Sequence, residues 1–284
     1  APTIAATTRI FHQLLRRIFF GIGQRRDDPR PLRRITRTQD AEGNLPQVGP
    51  TTPVVIIYTS GTTGNPKGVA LSHMNFILDG FAIADWFQLS AETRSICILP
   101  LFHNNGIVIS TTTTLCAGGS IVFVDPKTSL RSFWALVDKY GATFTSVMPS
   151  ILAALLSLPF EGKRGQIKGI ICGGQLLPLS LMQKFEERFG VPIFEGFGST
   201  EASSYSSFNR WPAEKRILGT VGVVLPICDM KVVDDNDNEV PDGVEGELCI
   251  RGPNCAIGYH KLPELNASKF RNGWYHSGDY GLRD

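Results

Sequence analysis

Eleven consecutive residues, Tyr58-Thr59-Ser60-Gly61-Thr62-Thr63-Gly64-Asn65-Pro66-Lys67-Gly68, hold the densest chemistry in the chain. Glycines let backbone N–H groups turn toward one point, and the Ser and Thr hydroxyls add donors beside them. Lys67 brings a compact positive charge to the same stretch. Such a loop suits a polyphosphate. The apolar run before it (Pro53, Val54, Val55, Ile56, Ile57) reads as a buried strand, and Val69-Ala70-Leu71 after it continues like a second strand. The predicted unit is therefore a hairpin with a phosphate-gripping tip. A Walker loop is excluded: that motif places four residues between its glycines, ends in Lys-Ser or Lys-Thr and runs straight into a helix. Here Gly61 and Gly64 are three apart and Gly68 follows Lys67.

Further candidates follow in order. Thr200-Glu201 comes after Phe197-Gly198-Ser199, Asp279 closes Tyr275-His276-Ser277-Gly278-Asp279, and Gly173-Gly174-Gln175 follows an apolar strand containing Ile167, Ile170 and Ile171. Alone, a Thr-Glu pair is commonly a helix start and an Asp in a Ser-Gly-Asp turn is commonly structural. His103 sits in Leu101-Phe102-His103-Asn104-Asn105-Gly106, and a lone His is more often structural than functional. His73, His260 and His276 share no metal-ligand spacing, which argues for no zinc site.

The phosphate string resembles the signature of the adenylate-forming superfamily: acyl-CoA synthetases, nonribosomal-peptide adenylation domains and luciferases. Phe197-Gly198-Ser199-Thr200-Glu201 is similar to that family's aromatic-Gly-x-Thr-Glu element, with Phe where Tyr is usual. Gly246-Glu247-Leu248-Cys249-Ile250-Arg251-Gly252 is similar to its Gly-Glu-Leu strand, and Tyr275–Asp279 to its aromatic-x-Thr-Gly-Asp element, with Ser277 for Thr. The four matches keep the family's order and span residues 54 to 284.

The resemblance implies an ATP-dependent ligase that joins a carboxylate to ATP, releases pyrophosphate and passes the acyl group to a thiol. It implies that Thr59, Ser60, Gly61, Thr62, Thr63, Gly64 and Lys67 hold the β- and γ-phosphates, that Thr200 bonds the α-phosphate and that Glu201 holds Mg²⁺. Asp279 would accept from the ribose hydroxyls, Phe197, Gly198 and Ser199 would flank the adenine, and Gly173, Gly174 and Gln175 would line the adenine and acyl pocket. His103 would stand where many acyl-CoA synthetases line the acyl tunnel, although Asn104 and Asn105 make that spot polar. Implied partners are a small carboxylic acid, ATP, and coenzyme A or a carrier-protein phosphopantetheine. No early Asp offers itself to an amino group in 101–110, which tilts toward a plain acid. The alternatives are a carrier-loading adenylation domain and a non-catalytic, truncated binding module.

The elements that must position these residues alternate from Val54 onward. Strand-like runs at 95–99, 120–124, 143–147, 167–172 and 191–194 interleave with helical patterns at 73–87, 105–117, 129–140, 149–157 and 178–189. After about 215 the texture becomes short strands (229–234, 246–251) and turn signals (235–238, Asn272-Gly273). The expected fold class is α/β: layered α/β sheets over 53–214 and a small, barrel-like β-rich subdomain over 215–284. Residues 1–52 read as a basic helix and linker. Ile10, Phe11, Leu14, Leu15, Ile18, Phe19 and Ile22 recur at helical spacing. Docking on the rest of the protein is favoured for that helix, with membrane contact through 9–22 or organelle targeting as its alternatives. The family's C-terminal hinge and lid are not found before Asp284, so the sequence reads as a fragment or processed form, poorly active alone.

Bulk properties bound the rest. At 284 residues with 42% apolar and 19% charged residues, the chain can bury a sizeable core. Residues 1–50 carry a net charge of +5 and the remainder −3, so the body offers no general basic surface for nucleic acid. Six cysteines without a CxxC pair read as reduced core residues, which predicts a cytoplasmic setting, with mitochondrial or membrane-peripheral placement as the alternative from the Arg-rich helix.

Overall fold

The computed structural model describes residues 48–59, 65–125, 130–160 and 164–284. Residues 53–284 form one compact unit and residues 1–52 another. Of the second, only residues 48–52 are described, as a turn closed by Thr52 N–H on Gly49 O at 3.1 Å. The proposed helix over 9–22 therefore lies outside the described residues.

The expected hairpin is present. β1 (Pro53–Thr59) pairs antiparallel with β2 (Lys67–Ser72), ending in the Thr59–Lys67 pair. Ser60 to Gly64, at its tip, lie outside the described residues. The expectation of a buried first strand is corrected. β1 alternates, burying Ile57 while Val54, Ile56 and Tyr58 are exposed, because it is the outer strand of a three-stranded sheet ordered β1-β2-β12. β12 (Gly258–Tyr259) arrives from far along the chain to pair with Val69 and Ala70.

Ser72 ends β2 and caps α1 (His73–Trp86). Its hydroxyl accepts from Asn75 N–H at 3.1 Å, and Asn75 Oδ1 accepts from Ser72 N–H at 2.8 Å, satisfying two helix-end donors at once. β3 (Arg94–Cys97) then pairs parallel with β4 (Ser120–Phe123). The helical stretch between them is a π-helix over Asn105–Thr113, continued by one α-turn, Thr114–Cys116.

The largest sheet alternates as the sequence reading requires. β5 (Thr145–Val147), β6 (Ile170–Cys172) and β7 (Ile193–Gly198) run parallel, with α3 (Pro149–Ser157) and α4 (Leu179–Phe189) as crossovers. β8 (Tyr205–Phe208) and β9 (Val223–Val224) extend it antiparallel. The helix α2 (Phe133–Tyr140) packs Phe133 and Trp134 against Phe185 and Phe189 of α4, four rings within 6.3 Å of a neighbour. That aromatic layer buries one face of the sheet. Parallel strands bury both faces, which is why these strands read as short apolar runs instead of alternating ones.

Beyond residue 224, β10 (Asp229–Val233), β11 (Gly246–Arg251), β13 (Phe270–Arg271) and β14 (Trp274–Gly281) form a four-stranded antiparallel sheet ordered β10-β11-β14-β13, with α5 (Pro263–Lys269) beside it. Its two end strands do not pair with each other, so the barrel-like expectation becomes an open sheet. The six cysteines are free, and Cys97, Cys172 and Cys249 are buried. No described helix is long and apolar enough to cross a membrane.

One buried charge bears on stability. Asp79, on α1, is fully buried; Ser204 Oγ bonds its Oδ2, while Oδ1 has no partner. Burial pushes its carboxyl up to about 8 against an ordinary 3.8, and Ser204 opposes that only in part. The raised value means that the stability tied to the protonated form is complete below about pH 4 and is lost as pH rises through about 8. Asp79→Asn should therefore raise the thermal midpoint by several degrees at pH 7.5 and change it little at pH 4.5, read by thermal denaturation at both values.

Candidate functional site

Part of the sequence-proposed set lies at the C-terminal ends of the parallel strands. Gly173, Gly174 and Gln175 leave β6, and Phe197 and Gly198 close β7. Ser199 leads into a 3₁₀ turn over Thr200–Ala202. In open α/β sheets, ligands bind in the crevice outside these ends. The turn packs against β2, the strand that begins at Lys67.

A strip of chain from Pro253 to His260 sews these parts together. Asn75 Nδ2 donates to Pro253 O at 2.7 Å and Cys255 O at 2.8 Å. Ala256 N–H donates to Glu201 O at 2.7 Å, Ile257 N–H to Ala70 O at 3.0 Å and His260 N–H to Gly68 O at 2.7 Å. Ser203 Oγ donates to Asn254 O at 2.7 Å, holding Ser203 at φ 65°, a left-handed value that a non-glycine residue adopts only under such restraint. Tyr259 then donates its hydroxyl to Glu201 Oε1 at 2.8 Å. Burial and the Glu201 carboxylate both push the Tyr259 hydroxyl up, so it remains a proton donor at neutral pH.

Gly198 permits the tightest approach in the site. A Cβ there would lie 1.8 Å from Ser204 O, inside backbone that cannot move aside. Gly173 is similarly constrained, its notional Cβ lying 2.6 Å from the Tyr205 hydroxyl. The loop after β6 is tied down by Glu195 of β7, whose carboxyl accepts from the Leu177 backbone. Burial raises that carboxyl to about 7.

Asp279 is exposed on β14, and Ser277 Oγ accepts from its N–H at 3.0 Å while donating to Leu248 O at 2.7 Å. Serine thus does at 277 what the family's threonine hydroxyl could do. Partial desolvation and then the nearby Glu201 raise the Asp279 carboxyl above its ordinary range, with Lys269 opposing. The Phe197 ring is half-buried and packs with Ala202, Ile250 and Tyr275 in a small core. His103 is exposed, its ring tilted against Phe102 with centroids 4.6 Å apart. Its neighbour Asn104 is the residue that reaches the turn, donating to the carbonyls of Thr200 (3.5 Å) and Ser203.

Tyr259, Lys269, Asn104 and Glu195 were missed by the sequence reading. Only Asn104 carried a signal, as a polar residue interrupting an apolar stretch. Also unforeseen is the meeting of Glu247, Cys249 and His276, whose donor atoms lie within 4.8 Å of one another. The β11–β14 register sets Cys249 directly opposite His276. His276 Nδ1 lies 2.9 Å from Glu247 Oε2 and 3.2 Å from Cys249 Sγ. Such donors suit zinc, yet Arg271 at 3.8 Å and Lys269 at 3.9 Å from Glu247 already supply the compensating positive charge. The trio reads as a clamp between the two strands, and Gly278 N–H donating to Glu247 Oε1 at 2.8 Å extends it to the Asp279 turn.

The family described as "AMP-binding enzyme" matches residues 21–260. Indoleacetate–CoA ligase of Aromatoleum aromaticum is 32% identical over 252 residues, 88% of this chain and 49% of that protein. Oxalate–CoA ligase of Saccharomyces cerevisiae is 35% identical over 236 residues, covering 81% and 42% respectively. Among solved structures, ATP-bound MatB from Rhodopseudomonas palustris superposes with a TM-score of 0.77 at 30% identity, over 83% of this chain and 47% of that one. MenE, the o-succinylbenzoate coenzyme A synthetase of Bacillus subtilis, in complex with AMP, gives 0.75 at 28% identity over 84% and 48%. The chain spans about half the length of the curated relatives it matches.

Substituting Gly198→Ala should cost about 3 kcal/mol or more of unfolding free energy, because the added methyl meets fixed backbone. Denaturant titration checks this, and a loss below about 1 kcal/mol would mean that the approach at Ser204 is looser than described.

Proposed function

The chain belongs to the AMP-binding enzyme family, and on that premise we propose that it carries the nucleotide- and acyl-binding body of an ATP-dependent carboxylate–CoA ligase. The observation that carries this reading is the packing of the Thr200–Ala202 turn against β2, the strand that begins at Lys67, with Glu201 near enough to Asp279 to help raise its carboxyl. These residues come from three different sheets or turns, and the Pro253–His260 strip links the turn and β2.

In the proposed reaction a carboxylate oxygen attacks the α-phosphorus of ATP. One O–P bond forms, the bond to the bridging oxygen breaks, and pyrophosphate leaves with the electron pair. The thiol of coenzyme A then displaces AMP from the acyl carbon. Two anions must meet in the first step, so neutralisation and positioning dominate the barrier. Lys67, with Thr59 and residues 60–64, would hold the leaving phosphates; Thr200 would donate to the α-phosphate. Asp279 would accept from the two ribose hydroxyls, a task for a two-oxygen acceptor. Gly173, Gly174 and Gln175 on one side and Phe197, Gly198 and Ser199 on the other would frame the adenine by backbone approach.

The Glu201 carboxylate fits a magnesium ion, since it is a hard oxygen donor whose charge already raises Asp279; a cation there would relieve that repulsion. When bound, the ion would offset charge on the phosphates. Coenzyme A is preferred as acceptor because the similar curated proteins are CoA ligases.

Calorimetry with Mg·ATP on the 284-residue chain tests the site. Wild-type binding should weaken about tenfold to a hundredfold in Lys67→Ala and in Asp279→Ala. Since Asp279 must be ionised to accept both hydroxyls and its carboxyl is raised, affinity should already fall on acidification at a pH above the ordinary aspartate range, and the Asp279→Asn variant should lack that fall. Unchanged affinity in both alanine variants would remove the nucleotide from this crevice.

A further inference from the structure

The clamp between β11 and β14 gathers more donors than a clamp needs. Three atoms surround His276 Nδ1: Glu247 Oε2 at 2.9 Å, Cys249 Sγ at 3.2 Å and Asp237 Oδ1 at 3.8 Å. That nitrogen carries at most one hydrogen, so it can donate to only one of the three at a time. If the hydrogen goes to Glu247, no lone pair is left on Nδ1 for the Cys249 thiol. Cys249 and His276 are both buried, so solvent does not make up the difference.

One nitrogen, one sulfur and two carboxylate oxygens are also a donor set for a four-coordinate zinc ion. Bonds of about 2.0–2.3 Å in a tetrahedron set such donors about 3.3–3.6 Å apart, so none of the four has far to move. The outer contacts serve the same end. Glu247 Oε1 accepts from Gly278 N–H at 2.8 Å and Asp237 Oδ2 from Asn272 Nδ2 at 3.1 Å, which orients the other oxygen of each toward His276. The Glu247 and Asp237 side chains are partly exposed and give the ion an entry path. Arg271 is the competitor. Its Nη2 lies 2.7 Å from Asp237 Oδ1 and 3.8 Å from Glu247 Oε2, the two oxygens the ion would take. The Arg271 side chain is itself partly exposed, so it has solvent to withdraw into.

We propose that Glu247, Cys249 and His276, completed by Asp237, form a binding site for zinc or a similar thiolate-seeking divalent cation, which takes the place of the Arg271 guanidinium. On binding, the Cys249 thiol gives its proton to solvent, and the thiolate sulfur donates an electron pair to the metal without change of oxidation state. The site stands independently of the ligase reading.

Cobalt(II) and zinc are the probes, added to the 284-residue chain with its thiols kept reduced. Cobalt should give a sulfur-to-metal charge-transfer band that saturates at one ion per chain, and zinc should abolish it by displacement. Cys249→Ser should lose the band, and His276→Ala should weaken zinc binding about tenfold or more by calorimetry. Arg271→Ala should act in the opposite direction and tighten zinc binding about tenfold, an effect that neither misfolding nor an unrelated thiol produces. A wild-type chain that shows no band in excess cobalt would overturn the proposal, even where Cys249→Ser fails to fold. A band that survives in folded Cys249→Ser, or a zinc affinity unmoved by Arg271→Ala, would overturn it as well.

Discussion

The hydrogen bond from Tyr259 to Glu201 is the constraint on which the candidate site turns. Glu201 sits in a 3₁₀ turn of only three residues, too short to hold a carboxylate in place through its own backbone bonds. The turn is fixed from outside instead. Ala256 holds the Glu201 carbonyl, Asn254 holds Ala202 and Ser203, and Tyr259 holds the carboxylate itself. Tyr259 also pairs with β2, so the β1-β2 hairpin and the acidic turn share one support. An unpaired Glu201 charge, largely removed from water, would be costly, and the tyrosine proton meets part of that cost.

The same segment explains why the acidic residues can stand close together. Burial first, and then the charges of Glu201 and Glu247, raise the Asp279 carboxyl. Lys269 from α5 is set among them, 3.9 Å from Glu247 and near enough to lower Asp279. The field here is thus a balance of these acids against Lys269 and Arg271. A polyphosphate with its counter-ion would enter a site where neither sign has been fully cancelled.

What the sequence made legible was what local patterns encode. The alternation of apolar runs with helical spacing predicted every strand and helix of the parallel sheet to within a few residues, because a crossover fold needs apolar strands covered on both faces. The hairpin around Lys67 was equally plain, since the β-branched run continues beyond the loop. The error over β1 came from reading composition without its neighbours: Val54, Ile56 and Tyr58 are as apolar as a core strand, yet they line the open face of an edge strand. Long-range register was beyond reach. β12 is two residues long, below any detectable period, and nothing in the sequence says that Gly258 and Tyr259 pair with a strand almost two hundred residues earlier. Cys249 and His276 likewise meet only because two strands of the open sheet align there. The chemistry of the site was readable as motifs, while the supports that aim it were not, because each support is a single hydrogen bond between distant segments.

The acyl side shows the same division more sharply. Asn104 and Asn105 stood out as polar residues in an apolar run, and the expectation was only that they weaken a greasy tunnel. Their surroundings turn that negative statement into a positive one. Asn104 is committed to the backbone of the Thr200 turn, so it cannot swing away without loosening that turn. Asn105 is committed to Ser146 and Tyr205, and Tyr205 to Phe208 in the core. Two adjacent amides thus tie the start of the π-helix to the Thr200 turn, β5 and β8. A change at Asn104 would therefore disturb the turn carrying Thr200 and Glu201.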